Sequence, residues 1–120
     1  MSRLNDANKY FSSGYSCSGA VLSAYHEVAG LSVAEAQTMA RPLAGGAKVK
    51  CGAVLGAEAV LRGKYPESLA EKKVREFEEA FTSMNGSLNC RELRGLAGGR
   101  RLRSCSGCVS DSAEILEKLL

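Results

Sequence analysis

The apolar residues of this 120-residue chain recur every three or four positions, and no stretch of useful length alternates between apolar and polar side chains. Spacing of three and four places apolar side chains on one face of an α-helix, whereas alternation is the pattern of a strand. The predicted buried faces are Leu4, Ala7 and Phe11; Val21, Ala24 and Val28; Val74, Phe77, Phe81 and Met84; and Val109, Ala113, Leu116 and Leu120. The sequence therefore predicts an all-α fold, and its length predicts a single compact domain over residues 1–120.

Local start and stop signals divide the chain into about six or seven helices. Ser32 and Ser68 are each followed three residues later by a glutamate, a capping-box pattern that predicts a helix start at the serine. Pro42 ends the helix that follows Ser32, because proline cannot continue it. Gly52 and Gly56 lie four residues apart, which predicts that another backbone approaches their helix closely. The predicted helices cover 4–11, 16–29, 32–41, 51–62, 68–85, 87–94 and a last segment after the loop 95–103.

The five cysteines are the residues that indicate a function. Cys17, Cys51, Cys90 and Cys105 each stand where the pattern predicts the beginning of a helix, and Cys108 follows close behind Cys105. The first turn of a helix carries N–H groups without backbone partners and a partial positive charge, which favour an anion there. A thiol in that position ionises more easily, and the thiolate is both the nucleophile and the metal ligand. Four such positions predict a site built for thiolates at the helix N-termini.

The sequence also predicts where the protein works. No basic segment followed by an apolar signal core begins the chain, and no apolar stretch approaches the roughly 20 residues that cross a bilayer. We therefore expect no membrane contact and a cytoplasmic location, where thiols are kept reduced. In that compartment a group of cysteines more often binds metal or performs redox chemistry than crosslinks the fold.

The arrangement of these residues resembles a known protein family. The chain is similar to the redox-active family named after the cysteine pattern C…GCAxxG…C…C, and the similarity covers most of its length in the right order. The resemblance implies a small, mostly helical protein with a redox function. The segments that carry it are 14–17, 45–46, 51–57, 85–87 and 90–93, followed by Cys105, Val109 and 113–116.

Three chemistries suit these thiols. The favoured one is electron transfer by an iron–sulfur cluster held by Cys17, Cys51, Cys90 and Cys105, with Cys108 as a substitute ligand. Structural zinc is a second, although its ligands usually come in pairs two residues apart, and three of these cysteines are isolated in the sequence. The third is metal-free dithiol/disulfide exchange, for which Cys105 and Cys108 are the first pair to test. Burial as small apolar side chains would explain one or two of the cysteines.

A basic cluster near the last two cysteines is a rival functional feature. Arg91, Arg94, Arg100, Arg101 and Arg103 lie within 13 residues. Such a cluster can contact nucleic acid or an acidic protein. No aromatic platform or recognition motif accompanies it, so nucleic-acid binding is disfavoured and a solvated loop is the simpler interpretation. Because it lies beside the thiols, the cluster would also help an acidic redox partner protein to dock.

Overall fold

The computed structural model describes residues 3–43, 49–95 and 100–120. Within these residues it contains seven α-helices, one 3-10 turn at Arg41–Leu43 and no strand, only one isolated bridge. This confirms the all-α prediction. The helices are α1 (Arg3–Ser12), α2 (Cys17–Ala24), α3 (Val33–Ala40), α4 (Gly52–Lys64), α5 (Glu67–Asn85), α6 (Cys90–Leu93) and α7 (Cys105–Leu119). The family-like glycine pair at 45–46 and most of the predicted loop 43–50 lie outside the described residues, as does 96–99 of the loop 95–103.

The capping signals predict one helix start and miss another. Ser32 accepts the Glu35 N–H at 3.1 Å, and the Glu35 carboxylate accepts the Ser32 N–H at 2.9 Å, so this capping box is present as predicted. The box predicted at Ser68 is wrong, because α5 already begins at Glu67 with Pro66 as its N-cap. Proline fixes its own φ near the value required at the helix entrance, so the chain turns helical before it reaches Ser68.

α2 is shorter than its apolar pattern predicts. It ends at Ala24, and residues 25–30 follow as turns rather than as two more helical turns. Tyr25 leaves the helix with a φ of −113° and a ψ of 24°. Its ring is buried, and its hydroxyl donates to the Ala113 carbonyl of α7 at 2.7 Å. A buried hydroxyl requires such a partner, and this long-range bond is invisible in local spacing.

α2 is the centre of the molecule, and small residues allow its neighbours to approach. All eight of its residues are buried, and α1, α3, α4 and α7 pack around it. A Cβ at Gly56 of α4 would stand 2.7 Å from the Ser18 carbonyl oxygen of α2. Glycine is therefore required at position 56, in agreement with the close backbone approach that its spacing with Gly52 predicts.

The predicted buried faces hold except at the ends of helices. Ala7, Val74, Phe77, Phe81, Val109, Ala113 and Leu116 are in the core. Met84, predicted in the core, is 48% exposed, and the C-terminal Leu120 is also exposed. In the last turn of α5 the buried position is Asn85, four residues after Phe81, and Met84 lies beside the covered face. None of the helices in the described part of the chain is both long and apolar enough to span a bilayer.

Candidate functional site

The side chains of all five cysteines line one small cavity. Gly52, Leu93 and Arg94 complete its wall. Its volume is about 20 Å³, which is room for about one water. All five cysteines are thiols, and no disulfide joins any two of them. The cavity therefore brings together thiols that are up to 91 positions apart in the sequence. The lining cysteines are Cys17, Cys51, Cys90, Cys105 and Cys108.

Two of the cysteines enter the site from the same local structure. Ser-Cys-Ser-Gly occurs at 16–19 and again at 104–107, and in both copies the cysteine is the first residue of a helix. Ser16 caps α2 by accepting the Gly19 N–H at 3.1 Å, and Ser104 caps α7 by accepting the Gly107 N–H at 3.0 Å. The sequence could have indicated this repeat, because serine is a preferred N-cap residue and stands directly before each cysteine. Each copy places its cysteine in the first turn of a helix.

A short antiparallel contact sets the next two cysteines side by side. The Cys51 N–H donates to the Leu88 carbonyl at 2.7 Å, and the Cys90 N–H donates to the Val49 carbonyl at 3.0 Å. The two bonds flank the bridge between Lys50 and Asn89. Cys51 is the N-cap of α4 and Cys90 is the first residue of α6, so the bridge joins the beginnings of two helices.

The segment before α7 is held against α6. The Leu93 carbonyl accepts the N–H groups of Leu102 at 2.9 Å and Arg103 at 3.1 Å. The Arg103 side chain then pairs with Asp111 of α7 through two hydrogen bonds of 3.0 and 3.2 Å. Its guanidinium covers Gly107, where any side chain would collide with it. These contacts fix the first turn of α7 and therefore the positions of Cys105 and Cys108.

The last two cysteines differ in solvent exposure, and the difference is opposite to the one that the sequence predicts. Cys108 is buried, whereas Cys105 is exposed at the edge of the cavity. The sequence pattern predicts the reverse, because Cys105 lies four residues before the core residue Val109. α7 packs against α1, α2, α4 and α5, so more than one of its faces is covered, and the stripe that contains Cys108 is buried as well. Cys105 starts the helix at the surface, beyond most of these contacts.

Cys51 and Cys108 form a hydrogen-bonded pair in which Cys51 ionises first. The hydrogen bond from the Cys108 thiol lowers the pKa of Cys51 to about 7, against the opposing effect of burial. The backbone amides of Val54 and Ala53 also favour the Cys51 thiolate. The same hydrogen bond and burial raise the pKa of Cys108 well above its usual range. Because the pKa of Cys51 is about 7, roughly half of the Cys51 side chains are thiolates at neutral pH, each accepting a hydrogen bond from the Cys108 thiol.

Arg94 belongs to this site, although the sequence grouped it with a separate basic cluster. Its guanidinium hydrogen-bonds the Cys90 sulfur, and it interacts electrostatically with Cys105 and Cys17. It also helps to lower the pKa of Cys51. Arg94 follows Cys90 by four residues, a spacing that places two side chains on the same side of a helix and could have indicated the contact. The cavity thus combines five thiols with one cation.

Most of the chain matches a known protein family. Residues 15–119 match the family described as Putative redox-active protein (C_GCAxxG_C_C). The chain belongs to this family. Ala53 and Gly56 keep the Ala-x-x-Gly spacing of the family's name, with Cys51 and Gly52 before them in the order Cys-Gly instead of Gly-Cys. A search of curated proteins and a search of solved structures each gave no match.

The donor atoms of this family member suit a cluster ligated by cysteine. Five cysteines line one cavity, together with Gly52, Leu93 and Arg94. Iron–sulfur clusters take four thiolates, and the site offers one more than that number. In the residue ranges described, no three His, Cys, Asp or Glu side chains already stand in the arrangement that holds a single metal ion. With room for about one water, the cavity is smaller than a cluster, so binding would require the lining residues to move apart.

Proposed function

We propose that the cysteine cavity is a redox site that binds an iron–sulfur cluster and transfers electrons. Cys17, Cys51, Cys90 and Cys105 are the proposed ligands, and Cys108 is the substitute ligand. The observation that carries this proposal is the convergence of five thiols from four helices on one cavity. Two thiols would be enough for disulfide exchange, whereas a cluster requires four.

The chain's own residues supply what an anionic cluster needs. When bound, the cluster would supply a one-electron carrier. Three of the ligands start or cap helices of at least eight residues, whose N-terminal partial charge offsets the charge of thiolates. Arg94 adds a full positive charge at the wall, and buried Leu93 excludes water from it. The positive charge of Arg94 and of the helix N-termini favours the reduced state, because reduction adds negative charge.

Anaerobic purification tests this proposal. We expect coloured protein with bound iron and acid-labile sulfide, and we expect both to be lost in Cys51→Ser while its helical circular dichroism remains. Cys108→Ser is the matched control, because it changes a thiol of the same cavity that is not one of the four proposed ligands. It should keep the iron. Colourless, iron-free wild-type protein after anaerobic expression and cluster reconstitution would overturn the proposal.

Metal-free thiol exchange is the second candidate, and the hydrogen bond between Cys51 and Cys108 favours it. In this reaction the Cys51 thiolate attacks a disulfide of an oxidised partner and releases one partner thiolate. The Cys108 sulfur then attacks the mixed disulfide, its proton leaves to solvent or to the second partner thiolate, and a Cys51–Cys108 disulfide forms. Two electrons pass to the partner, which becomes a dithiol. The contact supports this pair ahead of Cys105 with Cys108.

Mass spectrometry of the oxidised protein separates the two candidates. If exchange is the function, iron-free protein shows a reversible two-electron titration, and peptide mapping finds Cys51 linked to Cys108. The titration should vanish in Cys108→Ser and persist in Cys105→Ser. A link between Cys105 and Cys108 in the wild type would restore the pair that the sequence spacing favours.

A further inference from the structure

Arginines are frequent in the two segments that lead to and from the Leu93–Arg94 part of the cavity wall. Arg91, Arg94, Arg100 and Arg101 are all exposed, and we call them the arginine rim. Arg91 and Arg94 lie three residues apart around the short helix that begins with Cys90, so they project from adjacent positions. Residues 100 and 101 immediately precede Leu102, whose N–H is bonded to the carbonyl of Leu93 in the same helix. The four cations therefore lie on two segments that a backbone hydrogen bond joins at Leu93, a residue of the cavity wall.

This rim accounts for the net charge of the protein. The chain has 16 basic and 13 acidic residues, so without the four rim arginines 12 basic residues would face 13 acidic ones. Among the described residues, the ion pairs involve none of the four. Arg103, the fifth arginine of the sequence cluster, is different because Asp111 neutralises it. Four exposed arginines without a carboxylate partner among the described residues thus stand on two segments of the chain, and one of them, Arg94, lines the cavity itself.

Apolar side chains lie among these cations. Val49 is 72% exposed and Leu102 is 47% exposed. The Val49 carbonyl accepts the Cys90 N–H, so Val49 stands directly beside the cysteine cavity. The exposed thiol of Cys105 lies three residues after Leu102. Exposed apolar residues bordered by charges are the composition of a transient protein interface.

We propose that the arginine rim, with Val49 and Leu102, docks an acidic redox protein whose own redox group is bordered by aspartate and glutamate. This inference rests on the proposed redox function of the cavity, because docking here brings the partner's redox group against Cys105 and the cavity wall. Because the arginine rim is positively charged, a negatively charged protein surface complements it. A second copy of this chain would present the same four cations and would be repelled.

Nucleic acid fits this surface less well than an acidic protein. Proteins that bind single strands stack bases on aromatic side chains along a basic groove. No aromatic residue occurs in the chain after Phe81, and none lies between Lys50 and Tyr65. The apolar side chains of Val49 and Leu102 beside the rim would also find no apolar partner on a phosphate backbone.

A matched pair of variants tests the docking surface. The rim variant R91Q/R100Q/R101Q and the control K9Q/K72Q/R75Q each remove three exposed positive charges, and both leave Arg94 in place. Each is oxidised and mixed in a stopped-flow instrument with a reduced plant-type [2Fe–2S] ferredoxin, an acidic one-electron donor. We expect the second-order rate constant of the rim variant to fall about tenfold at low ionic strength, and that of the control to fall less than about twofold. The difference should disappear at high salt.

Two measurements keep the outcomes distinct. Direct electrochemistry before mixing shows whether the site is redox-active. A wild type without any reversible redox change would overturn both this inference and the proposed function. Equal rate constants for the rim and control variants, at an unchanged reduction potential, would overturn the docking surface alone. Binding of a labelled 20-nucleotide single strand is measured for both variants. If the strand binds in a salt-sensitive way to the control but not to the rim variant, the ligand of the arginine rim is nucleic acid and not an acidic protein.

Discussion

At the scale of single residues, Cys51 owes its reactivity to a neighbour that is remote in sequence. The largest influence on its pKa is the hydrogen bond from Cys108, which lies 57 positions away. The amides at the start of its own helix act in the same direction. A helix start alone would have made Cys51 an ordinary member of a group of four. The pairing with Cys108 distinguishes it from the other three.

Removal of the hydrogen-bond donor should therefore make Cys51 less reactive. In Cys108→Ala the pKa of Cys51 should rise from about 7 towards the usual thiol value, so alkylation at pH 7 should slow by about threefold to tenfold. Cys108→Ser keeps a hydroxyl donor at the same position and should slow it by less than about twofold. Rates of iodoacetamide labelling against pH, with Cys51 followed by peptide mass spectrometry in iron-free protein, measure both variants.

The comparison between alanine and serine is decisive. Equal slowing in the two variants would mean that packing, and not the hydrogen bond, controls the Cys51 thiol. An unchanged rate in Cys108→Ala would mean that the two sulfurs do not interact in solution.

At the scale of helices, the contact between α2 and α4 determines the position of two cysteines. Cys17 begins α2, and Cys51 caps α4. The two helices cross where Gly56 meets the backbone of Ser18, one residue after Cys17. Any change in their separation at this point alters the distance between two walls of the cavity.

Gly56→Ala should separate these helices. In an exposed helix this substitution would stabilise by up to about 1 kcal/mol, because alanine favours helix more than glycine does. Here the new methyl group would stand 2.7 Å from a backbone carbonyl oxygen that cannot rotate away. We expect a net destabilisation of about 1–3 kcal/mol, measured by urea denaturation.

A reciprocal variant serves as the control for helix propensity. Ala59→Gly, at a half-buried position of α4, should cost about 1 kcal/mol through propensity alone. If Gly56→Ala stabilises the protein by a similar amount, the close contact with Ser18 does not exist in solution.

At the scale of the whole molecule, a pair of acidic residues, buried Glu58 and half-buried Glu78, links α4, α5 and the segment before Cys51. Burial raises the pKa of Glu58 to about 7, and a hydrogen bond with Glu78 acts in the same direction. Lys50 opposes this increase and forms ion pairs with Glu58 at 3.4 Å and with Glu78 at 2.5 Å. The pKa of Glu78 is lowered, with the hydrogen bond from Glu58 as the largest cause. Arg62 is a further cation that lowers it. Glu58 therefore carries the shared proton.

This pair predicts how stability depends on pH. The folded protein holds the Glu58 proton more tightly than the unfolded chain, whose pKa is near 4.5. This contribution is complete below pH 4.5 and is lost as the pH rises through about 7. Between pH 5 and pH 7.5, we expect the free energy of unfolding of wild type to fall by about 1–3 kcal/mol relative to that of Glu58→Gln. The contribution of Glu78 has the opposite sign and lies below pH 4.5, outside this range.

Urea denaturation at several pH values measures this difference. Glu79→Gln is the matched control, because Glu79 is the exposed neighbour of Glu78 on α5. The free energy of unfolding of Glu79→Gln should change with pH in the same way as that of wild type. The lowered pKa of Cys51 adds its own pH dependence near pH 7, but it is common to all three proteins and cancels in the comparison. A Glu58→Gln curve parallel to wild type would show that Glu58 is ionised throughout.

The sequence by itself determined the features that depend on residues close together along the chain. The helical class follows from spacing of three and four, the start at Ser32 from its capping box, and the end of α5 from Gly86, which has a φ of 84°. The cysteines at helix starts belong to the same group, because a cap or a first turn is defined by residues within four positions.

Only the tertiary structure decided which of these local elements meet. The end of α2 depends on a bond from Tyr25 to α7, and the burial of Cys108 depends on the four helices that pack around α7. Arg94 joins the thiols because a backbone bridge sets α6 beside the start of α4. Burial, hydrogen bonding and pKa are properties of the surroundings in space. Neighbours that are remote in the sequence supply those surroundings here, and local spacing contains no information about them.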